Sequence, residues 1–281
     1  MSIYKCFLLF IITFRVTQIG QTQTPYFLNL PLKTDTQTPV FALNTGKKAN
    51  ELPNVVSLRA HCPTPQYQGK NNACTAWATT YGALTIMRAV QSDVKDTAIV
   101  QRMSHSAAFV YNNLIDVRTK NPCETGVGLR ECLLFLQAKG ACLTSNFSHT
   151  DDYSQKADTA LWQEAGQYRI TDFGAVFRVK DDSIVKILQM RRLLTAHKPI
   201  VIAFSVTPSF QNLTHRTEVW SSTKEEPILG GHAVVIIGYN QAEQSFELMN
   251  SWGSEWGNGG FAKISYSDFI QRTVQAYYLD F

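Results

Sequence analysis

The hydrophobic pattern changes period partway along this chain, and that change limits the fold more than any single motif. Between residues 74 and 91, Trp77, Tyr81 and Leu84 form one apolar stripe at helical spacing, and Ala76, Ala83, Met87 and Val90 form a second. A helix apolar on two faces has to be buried on most sides. Asn71 or Asn72 is placed to cap its start. Leu129, Cys132, Leu133 and Leu136 repeat at i, i+3, i+4 and i+7, which predicts a second helix over 126–139, with Gly140 at its end. A third is predicted over 183–196. From residue 200 the period shortens. Ile200–Val206, Ala233–Gly238, Phe246–Met249 and Phe261–Tyr266 are short apolar runs with turn residues between them, as strands require. Helices early and strands late predict an α+β fold in two lobes. The helical lobe spans about 70–155 and the β-rich lobe about 156–281, within one domain over 53–281.

Length suits that reading, because 281 residues can bury one large core or two joined ones. Lys plus Arg number 26 against 22 for Asp plus Glu, and the basic residues are scattered rather than aligned. A nucleic-acid groove needs a stripe of them, so nucleic acid is excluded as a partner.

The N-terminus resembles a targeting segment. Lys5 precedes Cys6–Phe14, a nine-residue apolar stretch. That is too short for a bilayer, which takes about 20 apolar residues, and fits a secretory signal over 1–20, cut near Gly20. The alternative is a short buried strand. Residues 21–52 are rich in Thr, Gln and Pro, with Thr-Gln-Thr-Pro at 22–25 and again at 36–39, and read as an extended leader, linker or short pro-segment. With the signal removed, no membrane association is expected, and the protein should be secreted or periplasmic.

Export would also permit disulfides. If Cys74 is a reactive thiol, Cys62, Cys123, Cys132 and Cys142 remain for two bridges, in any of three connectivities. Cys132 lies on the helical stripe, so it is equally readable as a buried apolar residue. No CxxC or HExxH spacing occurs, and no metal is expected.

The chemistry centres on four residues. Cys74 opens the first predicted helix, where unpaired N–H groups and the helix dipole favour a thiolate. A lone helical cysteine is otherwise an inert core residue. His232 follows Gly230 and Gly231 at the head of an apolar run; such a residue can take a thiol proton and return it to a leaving amine, or simply fill a core position. Asn250 ends the next run, where it can orient an imidazole or cap a strand. Trp252 could shield that contact from water. The Gln68 amide, six residues before Cys74, could combine with the Cys74 backbone N–H as an oxyanion hole.

Taken together, four blocks resemble the papain-like cysteine peptidases, in a branch closer to bacterial members. They are Pro53–Arg59, Gln68–Ala78, Gly231–Tyr239, and Asn250-Ser251-Trp252-Gly253 with Trp256-Gly257 and Gly259-Gly260. The resemblance implies a helical left lobe, a β-barrel-like right lobe and a cleft between them. It implies peptide hydrolysis through an acyl-enzyme, with Cys74, His232 and Asn250 catalytic, Gln68 in the oxyanion hole, and no cofactor. It places Gly126, Val127, Gly128, Ala203, Gly231, Ala233 and Trp252 around bound substrate. The implied partners are polypeptide substrates, with a proteinaceous inhibitor as a further candidate, and the implied state is a monomer. Four features depart from the family pattern. Thr75 stands where Trp is usual, Asn71 stands where a bridged Cys is common, the separations of 158 residues from Cys74 to His232 and 176 from Cys74 to Asn250 are long and imply insertions between the lobes, and the segment before Pro53 is too short for the usual inhibitory pro-domain. An acyltransferase or amidohydrolase on the same fold, and a catalytically silent binding module, are the competing readings.

Overall fold

The computed structural model describes residues 26, 28–40, 49–115, 126–148, 155–223 and 225–281. The expected signal segment 1–20 lies outside them, as does Cys123.

The central helix forms where two apolar stripes demand burial. It begins as α1 (Cys74–Ala76), continues as a π-helical stretch over Trp77–Leu84, and ends as α2 (Thr85–Gln91). Residues 77–84 are all buried. Its start differs from expectation. Asn71 accepts from the Ala73 N–H at 3.1 Å, whereas the Asn72 side chain faces away and accepts from the N–H of Asn29 at 3.3 Å. Around the central helix pack α3 (Thr97–Arg102), α4 (Ala107–Leu114), α5 (Leu129–Lys139) and α6 (Thr159–Ala165). The α5 helix starts at Leu129 rather than 126, because residues 126–128 are extended and Glu131 turns back to accept from the Gly128 N–H at 2.9 Å.

The second half builds one seven-stranded antiparallel sheet. Its strands are β1 (Val55–Ser57), β2 (Asp172–Ala175), β3 (Ile200–Val206), β4 (Gly230–Asn240), β5 (Ser245–Met249), β6 (Phe261–Ser265) and β7 (Thr273–Asp280). The order is β2-β7-β3-β4-β5-β6, with β1 pairing the far half of β4. Among the described residues no pairing joins the two ends, so the expected β-barrel-like lobe is an open sheet. Closure is unnecessary because both faces are covered. Val201, Ala203, Val235 and Ile237 face the core shared with the central helix. Ile200, Ile202, Phe204, Val234 and Ile236 face a second core under α7 (Ser183–Thr195) and α8 (Tyr266–Arg272). This alternation is the period-two rule of a strand, here apolar on both sides.

The cysteines depart from expectation. Cys62, Cys74, Cys132 and Cys142 are free, buried thiols. Disulfides involving Cys62, Cys132 or Cys142 are therefore not formed. Cys132 takes the other reading offered by its sequence, a small apolar residue on α5.

Candidate active site

Strand β4 carries His232 into the interior at its third residue, opposite Phe204 of β3. The ring is fully buried, and Trp252 stacks on it with centroids 4.5 Å apart. Asn250 directly follows β5. Its side-chain oxygen lies 2.8 Å from His232 Nε2 and also accepts from the Ser251 N–H at 2.8 Å. An amide oxygen in that position fixes the ring and the tautomer with hydrogen on Nε2. Nδ1 then keeps its lone pair and has no hydrogen-bond partner. Phe210 and Trp256 meet Trp252 from behind and hold it over the imidazole.

Cys74 approaches from the other lobe. The backbone amides of Ala233, Thr75 and Cys74 reach its sulfur, so the thiol sits beside the residue that follows His232. Burial nevertheless pushes the thiol up to about 11, the amides only partly opposing it. Burial likewise pushes His232 down to about 4 against the hydrogen bond that Nε2 donates to Asn250. Both groups are neutral in this covered state, not the ion pair that a helix start alone would favour. On the far side of the helix start, the Thr75 and Thr79 side chains lie beside the Cys132 thiol.

Gln68 is buried too, and its amide is held at both ends. Nε2 donates to the Asn71 carbonyl at 2.9 Å, and Oε1 accepts from Ser251 Oγ at 2.7 Å. The Gln68 N–H donates to the Ser251 carbonyl at 2.8 Å, and Gly253 N–H to the Gln66 carbonyl at 3.1 Å. The loop before α1 is thus zipped to the loop after β5. Sequence reading missed Ser251; its one available signal was its place beside Asn250.

Of the expected substrate-facing residues, Gly126, Gly231 and Trp252 lie against Asn29, Leu30 and Tyr26 respectively. Val127, Ala203 and Ala233 are buried in the core that also holds Leu30 and Cys74, and Gly128 opens α5 and lies with Gly126 along a groove beside Leu30 and Pro31. Residues 28–30 of the chain itself run between Gly231 and Gly126. Asn29 bridges Gly231 in parallel, with Gly231 N–H donating to the Leu28 carbonyl at 2.9 Å and Leu30 N–H to the Gly231 carbonyl at 3.4 Å. A Cβ on Gly231 would lie 2.1 Å from the Leu30 carbonyl oxygen, so only glycine permits this approach. On the opposite wall, a Cβ on Gly126 would meet the Asn29 carbonyl at 2.9 Å. Tyr26 stacks on the outer face of Trp252, centroids 4.2 Å apart. Beyond Tyr26 an open groove of about 540 Å³ continues past Tyr67 and Glu255.

The papain family cysteine protease model matches residues 53–277. The chain belongs to this family. An uncharacterized peptidase C1-like protein of Acanthamoeba polyphaga mimivirus is 26% identical over 235 residues, covering 80% of this chain and 73% of that protein. A cathepsin B-like cysteine proteinase of Caenorhabditis elegans is 35% identical over 95 residues, 33% of this chain and 23% of the relative. In three dimensions the chain is similar to xylellain, a cysteine protease from Xylella fastidiosa. Their TM-score is 0.73 at 23% identity, over 90% of this chain and 95% of that one. The bromelain protease of Ananas comosus shares the fold with a TM-score of 0.61 at 17% identity, over 82% and 99%. The protein is a papain-like cysteine peptidase on an α+β fold. Among the described residues no group of His, Cys, Asp and Glu could hold a metal ion, and no helix is long and apolar enough to cross a membrane.

Proposed function

We propose that this peptidase is exported and cleaves polypeptides internally, with Cys74 as nucleophile. The observation that carries the site assignment is the 2.8 Å contact between His232 and Asn250 under Trp252, with the Cys74 sulfur beside the Ala233 amide. His232 Nδ1 takes the thiol proton as sulfur attacks the substrate carbonyl. Negative charge collects on the carbonyl oxygen, where the Cys74 N–H and Gln68 Nε2 donate. The C–N bond breaks, the imidazolium protonates the amine, and a thioester remains. Water then attacks the thioester, giving its proton to His232, and the thiolate leaves and is reprotonated. Asn250 keeps the ring aligned through both halves. The apolar stretch 6–14 behind Lys5 supports export, and a channel open beyond Tyr26 supports chain-internal cleavage.

Intact mass of the reduced full-length chain, after exposure to a thiol-directed epoxide on a short peptide, tests this. Because Leu28 to Leu30 occupy the channel, the assay pairs wild type with Leu30→Asp, which unseats that segment, each with and without Cys74→Ala. One adduct that depends on Cys74 is expected. Adducts that persist in Cys74→Ala, or none in any variant, would reject the mechanism. Against a protein substrate, Cys74→Ala and His232→Ala should abolish hydrolysis, Asn250→Ala should be milder, and Gln68→Ala should lower turnover about a hundredfold. Transfer of acyl groups to an amine without peptide fragments would identify an acyltransferase instead.

A further inference from the structure

A groove leaves the site on the side where the amine of a cut peptide must go. The passage between Gly231 and Gly126 takes extended chain on one side of the catalytic residues. Trp252, stacked on the His232 ring, marks the other side, because the imidazole that protonates the amine has to face it. From Trp252 a groove of about 540 Å³ runs on past Pro65, Gln66, Tyr67, Ser254 and Glu255.

The walls of this groove are fixed in place. Tyr67 bridges Trp252 in antiparallel fashion, and Gly253 N–H donates to the Gln66 carbonyl at 3.1 Å. Trp256 Nε1 donates to the Phe210 and Gln211 carbonyls at 3.3 and 3.2 Å, which pins the loop carrying Glu255 to the second core. A rigid wall loses little entropy when a partner binds.

The chemistry of the groove is one-sided. Tyr67 and Trp252 bring aromatic rings, and among the described lining residues Glu255 alone is charged. Glu255 is exposed, and no described residue forms a hydrogen bond or ion pair with its carboxylate. A free carboxylate beside aromatic rings attracts an organic cation, through its charge and through the ring quadrupoles. Trp252 adds an indole N–H that is buried without an acceptor, which a passing peptide carbonyl can supply. The occupant that meets all three features is a peptide chain bearing a basic side chain.

We propose that Glu255 is a specificity-determining residue, and that this groove favours substrates with lysine or arginine shortly after the scissile bond. This rests on the peptidase reading above. Glu255 holds the leaving half of the substrate without touching the reacting atoms, so it changes KM more than kcat. The overall charge of the chain cannot produce this preference, because a net charge of +4 repels basic substrates.

The test measures kcat/KM on short peptides that differ at one position after the scissile bond, where lysine is compared with methionine, a neutral side chain of similar length, and with glutamate. The enzyme is the full chain, with Leu30 intact and as Leu30→Asp, and product masses identify the bond cut. Lysine should exceed methionine about fivefold, mostly through KM, the size expected for an exposed ion pair with a cation–π contact. Glu255→Gln should bring lysine and methionine level. Glu255→Lys should invert the order in favour of glutamate, which a misfolded enzyme cannot do. High salt should narrow the gap. Glu218→Gln, at an exposed residue of a separate groove, should leave the gap unchanged. Equal kcat/KM for lysine and methionine with Glu255 intact would overturn the proposal and leave the peptidase reading standing. So would a gap that persists in Glu255→Gln, or one that requires the lysine before the scissile bond. No cut in any peptide by either form of the chain would remove both.

Discussion

At the scale of single residues, the site is a set of short polar contacts inside a dry pocket, and each buried polar atom depends on its partner. Ser251 shows this most directly. It spans Asn250 and Gln68, donating its N–H to Asn250 Oδ1 and its hydroxyl to Gln68 Oε1. Ser251→Ala leaves Gln68 Oε1 without its donor and lets the amide turn. We expect kcat to fall about tenfold with KM nearly unchanged, because the oxyanion donor acts on the transition state; equal kinetics for Ser251→Ala and wild type would remove this role. Cys74, His232, Asn250 and Gln68 were all legible as residue types in order along the sequence. Ser251 was not, because a serine after an asparagine has no spacing that marks it, and its importance arises only when two loops meet.

At the scale of elements, periodicity located the central helix, α5, α7, β3, β4, β5 and β6 to within a few residues. It gave no sign of the π-helical winding at Trp77–Leu84, or of β1, β2 and β7. The helix pattern is blind to winding because both stripes are buried whichever way it turns. Gly82 marks where the winding matters: a Cβ there would lie 2.5 Å from Val235 Cγ2 on β4. The central helix and the histidine strand therefore touch at a glycine. Gly82→Ala should lower stability by about 1–3 kcal/mol through overpacking despite better helix propensity. A denaturant midpoint equal to or above wild type would show that the contact relaxes freely. Strand β7 escaped the sequence reading, yet it carries Gln275 and Tyr277, whose side chains bond Lys33 and Asp35.

At the scale of the whole molecule, the meeting of the two lobes sets the protonation of the site. Burial holds His232 near 4, below its usual 6.5, and Cys74 near 11, above its usual 9.0. A lowered histidine contributes stability that is fully present above 6.5 and is lost as pH falls toward 4; a raised thiol contributes stability present below 9.0 and lost as pH rises toward 11. The groups against the His232 ring are the uncharged Asn250, Trp252 and Phe204. The melting temperature should be level between these limits and fall on both sides. His105, buried beside Arg88, is also held near 4 and contributes in the same direction on the acid side. His232→Gln should therefore lessen, not abolish, the acid loss between 6.5 and 4; an unchanged profile would show that His232 is not held neutral. By itself the sequence determined the α+β class, the order of the main helices and strands, and the order of the four candidate residues along the chain, because periodicity and motif order are properties of a line. The tertiary structure alone decided that the sheet stays open among the described residues and that Cys62, Cys74, Cys132 and Cys142 are free thiols. It also decided that residues 28–30 pair with Gly231 and that Asp35 meets Tyr277, because such contacts join residues about 200 positions or more apart and no local pattern encodes which surfaces will meet.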